Sequence, residues 1–233
     1  MEYYYSNQDE TPLEEKRTPL KLKVCGMNKN TTEVAALKPD YLGFIFWKPS
    51  KRYFIGKMPP IPHRIKKVGV FVDATLLEIT HKVKTYDLLL VQLHGKETAA
   101  FCHELMKSIP QVKIIKVFSI KDDFDFGQLI HFEDVCDYYL FDTKGKLPGG
   151  NGYAFNWEVL RNYPSTKPYF LSGGIGLEEI ESIKNFMKRP ESEFCEVIDV
   201  NSKFEDKPGL KNIEKLKEFK KLLTDNGQPK TDN

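Results

Sequence analysis

The sequence lacks the features that mark several specialised classes of protein. Its four cysteines form no Cys-x-x-Cys pair, so we expect neither a zinc site nor a secreted disulfide framework. No apolar run approaches the roughly 18 residues that a membrane span needs. The formal net charge is only +2 and both signs are intermixed, which gives no indication of a nucleic-acid or membrane partner. The remaining interpretation is an ordinary globular protein of a reducing compartment, the cytoplasm.

The two ends of the chain differ in composition from its middle. Residues 1–20 are acidic and have no apolar core, which argues against a secretory signal, so we interpret them as a flexible N-terminal extension. Residues 224–233 are polar, and we expect a disordered tail there. The middle part, residues 21–223, has a suitable length for one large α/β domain.

Strand-like and helix-like segments alternate through this middle part. The predicted strands are short apolar runs at Leu22–Cys25, Tyr41–Trp47, Val68–Val72, Leu88–Leu93, Val112–Phe118, Tyr138–Phe141, Tyr169–Leu171 and Cys195–Val200. The clearest predicted helices are Leu76–Val83, Thr98–Ser108, Trp157–Asn162, Leu177–Met187 and Ile213–Leu223. After the first strand, Asn30 and Glu33 have the spacing of a capping box, which predicts another helix there.

This alternation predicts right-handed βαβ units and a parallel sheet. Eight such repeats in about 200 residues predict an α/β fold of the (β/α)8 TIM-barrel type. The proline-rich run Met58–Pro62 cannot hold a regular helix, so we expect the helix after strand two to be short or missing. A doubly wound open sheet is the alternative, but no Gly-x-Gly-x-x-Gly turn follows strand one.

In a barrel of this kind, catalytic groups lie at the carboxyl ends of the strands. Strand one ends at Cys25, and Asp142 ends an otherwise apolar strand six. These two strands lie nearly opposite in a ring of eight, so we expect a base and an acid that flank one substrate. Lys23 shares a face with Cys25, and its ammonium would favour the thiolate. The alternatives are a buried apolar cysteine, an aspartate that caps a turn, and a solvated lysine at the barrel floor.

Other strand ends carry groups that suit an anionic ligand. The segment Ser172–Gly174 ends strand seven and opens a helix, where backbone N–H groups can bind a phosphate. Arg52 follows strand two and offers a planar fork for a carboxylate or phosphate. Gln92 and His94 share a face of strand four, where a lone histidine is more often a hydrogen-bonded wall residue than a catalyst. An ordinary glycine turn and a solvated arginine are the corresponding alternatives.

Nine short segments follow one another in the order found in phosphoribosylanthranilate isomerases. They are Lys23–Met27, Leu42–Phe46, Ser50–Tyr53, Val68–Val72, Val91–Gly95, Phe141–Thr143, Gly149–Gly152, Phe155–Trp157 and Leu171–Gly174. The sequence therefore resembles this family of (β/α)8 barrels from tryptophan biosynthesis. The resemblance implies an Amadori rearrangement of N-(5′-phosphoribosyl)anthranilate to 1-(2-carboxyphenylamino)-1-deoxy-D-ribulose 5-phosphate, without a cofactor or metal.

The resemblance also implies a role for each residue that matches the family's motifs. Asp142 would be the general acid that opens the furanose ring, and Cys25 the general base that removes the proton from C2′. Arg52 would hold the anthranilate carboxylate. The remaining predicted contacts are Gln92, His94 and Asp199 in the substrate site and Gly173, Gly174, Asn201 and Ser202 at the phosphate.

Two departures from the family's pattern concern the phosphate. Lys203 stands where the loop after strand eight usually has a glycine, and Tyr153 stands where a lysine is common. Two alternatives therefore remain at this point. One is another phosphosugar barrel enzyme, an epimerase or an indole-glycerol phosphate synthase, although a synthase would need a catalytic lysine and glutamate. The other is a non-catalytic phosphosugar-binding barrel. In each case the expected partner is a small molecule, and the protein is a monomer or a homodimer.

Overall fold

The computed structural model describes residues 19–121, 124–143 and 156–224. The predicted extension, apart from residues 19 and 20, lies outside the described residues, and so does the predicted tail from residue 225 onward. Gly149–Gly152 and Tyr153 also lie outside them. The ten predicted site residues all lie within the described part of the chain.

The eight predicted strands form a closed parallel barrel in sequence order. Their bounds are β1 Lys21–Cys25, β2 Tyr41–Ile45, β3 Lys66–Phe71, β4 Leu90–Leu93, β5 Lys113–Ile120, β6 Tyr138–Thr143, β7 Tyr169–Leu171 and β8 Cys195–Val200. The ring closes where β1 pairs with β8, with Lys23 opposite Asp199. The prediction of a (β/α)8 barrel is confirmed.

Helices follow most of the strands. The α-helices are α1 Thr31–Ala36, α2 Leu76–Tyr86, α3 Ala99–Ser108, α4 Ile180–Met187 and α5 Ile213–Thr224. Short 3-10 helices are Phe126–Phe132, Trp157–Asn162, Leu177–Glu179, Pro190–Ser192 and Ser202–Phe204. Residues 46–65, between β2 and β3, contain no helix, as the proline-rich run predicts.

A small antiparallel hairpin follows β8 and lies outside the barrel sheet. Its strands are β9 Glu205–Lys207 and β10 Leu210–Lys211. The turn between them includes Gly209, whose φ of +79° lies in the left-handed region that favours glycine. The hairpin brings Glu205 and Lys211 back toward the barrel mouth.

The predicted capping box at α1 is wrong, although the helix does begin at Thr31. The side chain of Asn30 makes no cap hydrogen bond. It pairs with the backbone of Lys211 instead, because its Nδ2 donates to the carbonyl at 2.8 Å and its Oδ1 accepts from the N–H at 3.0 Å. Two tertiary hydrogen bonds thus replace one local bond, and they tie the hairpin to the first βα loop.

Apolar side chains fill the barrel below its mouth. This inner cluster consists of Tyr41, Val68, Leu90, Ile115, Val117, Leu140, Phe170 and Val197, with Tyr138 packed against it. A second, larger cluster lies between the strands and the surrounding segments. Because the lower interior is packed, a ligand can enter only at the carboxyl ends of the strands.

Candidate active site

One cavity at the carboxyl end of the barrel brings together all ten predicted site residues. Its lining includes Cys25, Arg52, Gln92, His94, Asp142, Gly173, Gly174, Asp199, Asn201 and Ser202. One wall is apolar and is formed by Ile45, Trp47, Val70 and Val72 from the second and third βα units. The cavity therefore offers a thiol, two carboxyl groups, a glycine turn and an apolar face to one ligand.

The Cys25 thiol is buried and packs over Gly43 of the neighbouring strand. A Cβ atom on Gly43 would come within 2.8 Å of Sγ, so glycine is required there. Burial raises the pKa of Cys25 above its ordinary value, against the charges of Lys23 and Lys211, which lower it. Lys23 thus favours the thiolate, as expected, but desolvation of the thiol outweighs its charge.

Lys23 is completely buried, and the alternative of a solvated lysine is wrong. Its Nζ lies 2.6 Å from Oδ2 of Asp199 and donates to Oε1 of Gln92 at 2.8 Å. Burial opposes the charge of Lys23, but Asp199 and Cys25 outweigh it and hold the lysine pKa above its ordinary value. Burial raises the pKa of Asp199 in spite of Lys23. Among the described residues, Oδ1 of Asp199 has no hydrogen-bond partner.

Asp142 is buried at the end of β6, with its Oδ2 3.3 Å from Nε2 of His94. The Gln92 side chain fixes the histidine tautomer. The Lys23 ammonium only donates, so it must face Oε1 of Gln92, which leaves the amide nitrogen 3.4 Å from Nδ1 of His94. An amide nitrogen also only donates, so Nδ1 accepts and a neutral ring carries its proton on Nε2, toward Asp142. Lys23, Gln92 and His94 thereby form a row from Asp199 toward Asp142, although Nε2 of His94 makes no hydrogen bond to the described residues.

Arg52 reaches the cavity but is already paired on one edge of its fork. Its Nε donates to both carboxylate oxygens of Glu205, at 3.0 and 2.9 Å, and its Nη2 donates to Oε2 at 2.7 Å. In the described part of the chain, Nη1 has no such partner and is the nitrogen left for a ligand. Arg52 is therefore held at the cavity by Glu205 and is not the solvated loop charge of the alternative interpretation.

The glycine turn after β7 has a backbone conformation that favours glycine at two consecutive positions. Gly173 and Gly174 have φ values of +95° and +65°, which disfavour any other residue. Two residues near this turn, Gly176 and Lys203, differ from the expectation of a phosphate site made of backbone N–H groups alone. The amide of Gly176 is already bound by Oε2 of Glu179 at 2.6 Å, and the exposed Lys203 lines the same end of the cavity.

Lys211 is the residue near the site that sequence reasoning missed. It is fully buried, and its Nζ donates to the backbone oxygen and Oδ1 of Asn201 and to Oε1 of Glu205, at 3.0, 2.8 and 3.0 Å. No local pattern distinguishes it from the other lysines of this polar stretch. Only the hairpin shows that this lysine, unlike Lys207, points back to the barrel.

Among the described residues, no group of three or more His, Cys, Asp or Glu side chains is placed to hold a metal ion. None of the helices in the same ranges is both long and apolar enough to cross a membrane.

Fold and cavity together define a class: a (β/α)8 barrel with thiol and carboxyl groups at its mouth and a glycine-lined rim. A family model described as N-(5′-phosphoribosyl)anthranilate (PRA) isomerase matches residues 22–221. The N-(5′-phosphoribosyl)anthranilate isomerase of Parabacteroides distasonis is 43% identical over 207 residues, covering 85% of this chain and 90% of the relative. The chain belongs to the N-(5′-phosphoribosyl)anthranilate isomerase family.

Solved structures show the same fold. The crystal structure of phosphoribosyl anthranilate isomerase from Thermotoga maritima has a TM-score of 0.72 at 25% identity, covering 88% of this chain and 98% of that one. A phosphoribosyl anthranilate isomerase in complex with reduced 1-(o-carboxyphenylamino)-1-deoxyribulose 5-phosphate has a TM-score of 0.69 at 24% identity, covering 90% and 100%. The family assignment selects the isomerase over the epimerase and the synthase.

Proposed function

We propose that Asp142 and Cys25 are the acid and the base of the isomerase. The reaction of the family is the Amadori rearrangement of N-(5′-phosphoribosyl)anthranilate in tryptophan biosynthesis, so the protein is an aldose–ketose isomerase. Such a reaction moves protons on and off the sugar and needs an acid and a base on different sides of it. The two residues that line one cavity from β1 and β6 meet this requirement.

In the first step, Asp142 acts as the general acid and gives a proton to the furanose ring oxygen. The bond between C1′ and that oxygen breaks while the nitrogen lone pair forms a C1′=N bond, which yields the protonated Schiff base. The Nε2 proton of His94, 3.3 Å from Oδ2 of Asp142, then stabilises the carboxylate that remains. His94 thus assists the acid without replacing it.

In the second step, the Cys25 thiolate removes the proton from C2′. The C2′–H electrons form a C1′=C2′ bond, and the C1′=N electrons return to nitrogen, which gives an enolamine. Tautomerisation moves one proton from O2′ and brings one to C1′, and the product is the amino ketone. The charges of Lys23 and Lys211 favour the thiolate, against the burial that raises the pKa of Cys25.

Binding follows from the remaining groups of the cavity. The free edge of Arg52, at Nη1, would hold the anthranilate carboxylate next to the apolar wall that includes Trp47. Oδ1 of Asp199 would accept a hydrogen bond from a ribose hydroxyl. The backbone of Gly173 and Gly174, together with Asn201 and Ser202, would hold the phosphate.

A turnover assay tests both the activity and the two roles. Purified protein is mixed with N-(5′-phosphoribosyl)anthranilate, and the loss of substrate fluorescence is followed. We expect Cys25→Ala and Asp142→Asn each to lower kcat about 10²- to 10⁴-fold. Cys102→Ala is the matched control for the thiol, because Cys102 is also buried but lies on α3 outside the cavity lining. No turnover by the wild type above spontaneous breakdown would favour the non-catalytic barrel, and near-normal turnover by either variant would remove that residue from its role.

We also propose a cytoplasmic location and a monomeric or homodimeric state. The location is supported by four free thiols among the described residues, which suit a reducing compartment. Fractionation of cells that express a tagged chain tests the location, and light scattering after size-exclusion chromatography tests the assembly. Enrichment in a membrane fraction, or a mass above that of a dimer, would contradict these proposals.

A further inference from the structure

A partly buried charged cluster lies beside the cavity, where the segment after β2 meets the segment after β8. It consists of Arg52, Glu205, Lys211 and Asn201, defined here as the hairpin cluster. The Lys211 ammonium makes three hydrogen bonds to Asn201 and Glu205, which equals the number of protons it carries. Glu205 accepts from Lys211, from Arg52 and from the amide of Gly209. Each ion of the cluster is therefore paired, as burial requires.

The hairpin cluster lies next to Gly26, the residue that follows Cys25. Gly26 has a φ of +76°, and a Cβ atom there would come within 2.6 Å of Oδ1 of Asn201 and 2.8 Å of Cδ of Arg52. The Asn201 oxygen that faces Gly26 is the same one that accepts from Lys211. Lys211 thus holds the Asn201 side chain next to Gly26, in the loop that follows Cys25.

Two residues of the hairpin cluster, Arg52 and Asn201, also line the cavity. Their side chains are neighbours, because both face the same side of Gly26. Lys211 itself does not line the cavity but bonds Asn201 directly and Arg52 through Glu205. With two cations and one carboxylate, the cluster carries a net positive charge at an anion-binding site.

We propose that Lys211 is a positioning residue of the active site: its ammonium fixes the side chain of Asn201 and, through Glu205, the guanidinium of Arg52. This proposal rests on the proposed function, which assigns those two groups to the phosphate and the carboxylate of the substrate. Loss of the ammonium then loosens both side chains at once, without removing any group that touches substrate.

The backbone around Lys211 is anchored independently of its side chain. Asn30 pairs with its N–H and carbonyl, and the amide of Lys29 donates to the carbonyl of Gly209 at 2.9 Å. Lys211→Met keeps the length of the side chain and all of these bonds, so the hairpin should remain folded in the variant. Lys207→Met is the matched control, because Lys207 is an exposed lysine of the same hairpin.

The test measures kcat, KM and competitive inhibition by sulfate, a phosphate mimic whose charge is constant between pH 7 and 9. For Lys211→Met we expect KM and the sulfate inhibition constant to rise about tenfold or more, since a small misplacement of binding groups is costly. In an Asn201→Ala background, Lys211→Met should add little to the sulfate effect, because the two changes act on one contact. Lys207→Met should match the wild type.

A pH series provides a measurement that a merely structural lysine would not affect. Burial lowers the pKa of Lys211 to about 8, although Glu205 and Cys25 favour its charge and Arg52 opposes it. Among the described residues, these three charged or titratable groups have the largest effects on the pKa of the ammonium. Sulfate inhibition of the wild type should therefore weaken from pH 7 to 9, whereas Lys211→Met should show a smaller change, with Cys25 present in both proteins.

The outcomes separate this proposal from the proposed function. No turnover by the wild type refutes the isomerase itself. An active wild type with a folded Lys211→Met variant whose KM and sulfate inhibition are unchanged refutes only the positioning role, even if its melting temperature falls. If Lys211→Met does not fold, Glu205→Gln and the wild-type pH series decide, and unaltered sulfate binding in both overturns the proposal.

Discussion

Removal of the Lys23 ammonium is the sharpest test of how the barrel tolerates charge in its interior. The side chains of Lys23 and Asp199 are 0% and 4% exposed and lie 2.6 Å apart, and Lys23→Met would leave the carboxylate without a cation. Breaking a buried pair on one side costs about 3–5 kcal/mol of unfolding free energy. If Asp199 binds a proton instead, each pKa unit of displacement corresponds to about 1.36 kcal/mol. Urea unfolding monitored by circular dichroism measures the loss.

A matched control lies two residues earlier on the same strand. Lys21 pairs with Glu196 at 2.7 Å, but both side chains are about one third exposed, so Lys21→Met should cost only about 0–1 kcal/mol. The double variant Lys23→Met with Asp199→Asn should recover most of the lost unfolding free energy, because the unpaired carboxylate of Asp199 has been removed. Equal losses for the two single variants, or no recovery in the double variant, would refute the reasoning.

The same variant has a defined pH dependence. Burial already raises the pKa of Asp199 above its unfolded value, and loss of Lys23 raises it further. The folded state then binds more protons than the unfolded state between these two pKa values, so its stability falls as pH rises through that window. The loss of unfolding free energy caused by Lys23→Met should thus shrink on acidification.

The alkaline rise of kcat/KM should also move to higher pH in Lys23→Met, because the Cys25 thiolate loses a neighbouring cation.

Three further predictions concern the loop, the thiols and one helix. Gly26→Ala should lower the unfolding free energy by at least about 1–2 kcal/mol in urea titrations, because of its positive φ and the contact with Asn201. Unchanged stability would contradict that geometry. When the protein is alkylated at pH 8 and analysed by mass spectrometry, Cys25 should react before Cys136. Of these two thiols only Cys25 lines the cavity, and burial raises the pKa of Cys136 to about 12. The reverse order would contradict this prediction. Thr75→Ala should lower the unfolding free energy by about 1 kcal/mol, because it removes the reciprocal cap between Thr75 and Glu78 at the start of α2. Thermal unfolding measures this loss, and a value below a few tenths of a kcal/mol would count against the cap.

The barrel and the membership of the cavity were predictable because both follow from local patterns. Alternating apolar segments place the strands, and parallel pairing then puts every strand's carboxyl end at one mouth. The apolar runs that end at Cys25 and Asp142 therefore suffice to place these residues in one cavity. Strand bounds shifted by one or two residues, for example from Tyr41–Trp47 to Tyr41–Ile45, without moving a site residue.

Properties that depend on burial or on distant partners were not predictable in this way. The sequence shows that Lys23 is near Cys25 but not that desolvation of the thiol outweighs it. Asn30 has the spacing of a cap, yet a hairpin some 180 positions later takes its side chain. Lys211 has no local signal, because its importance comes from where the hairpin folds. These are tertiary effects that override or supplement local propensity.

The pairing of β1 with β8 has a consequence for how the protein folds during its synthesis on the ribosome. Lys23 and Asp199 are 176 residues apart in the chain. At translation rates of about 5–20 residues per second, Lys23 emerges roughly 9–35 s before its carboxylate partner has been synthesised. During that interval the first strand carries an ammonium that cannot be buried at low cost. The amino-terminal βα units therefore have an electrostatic reason to stay open until the last strand arrives, and ring closure and assembly of the site become one late event.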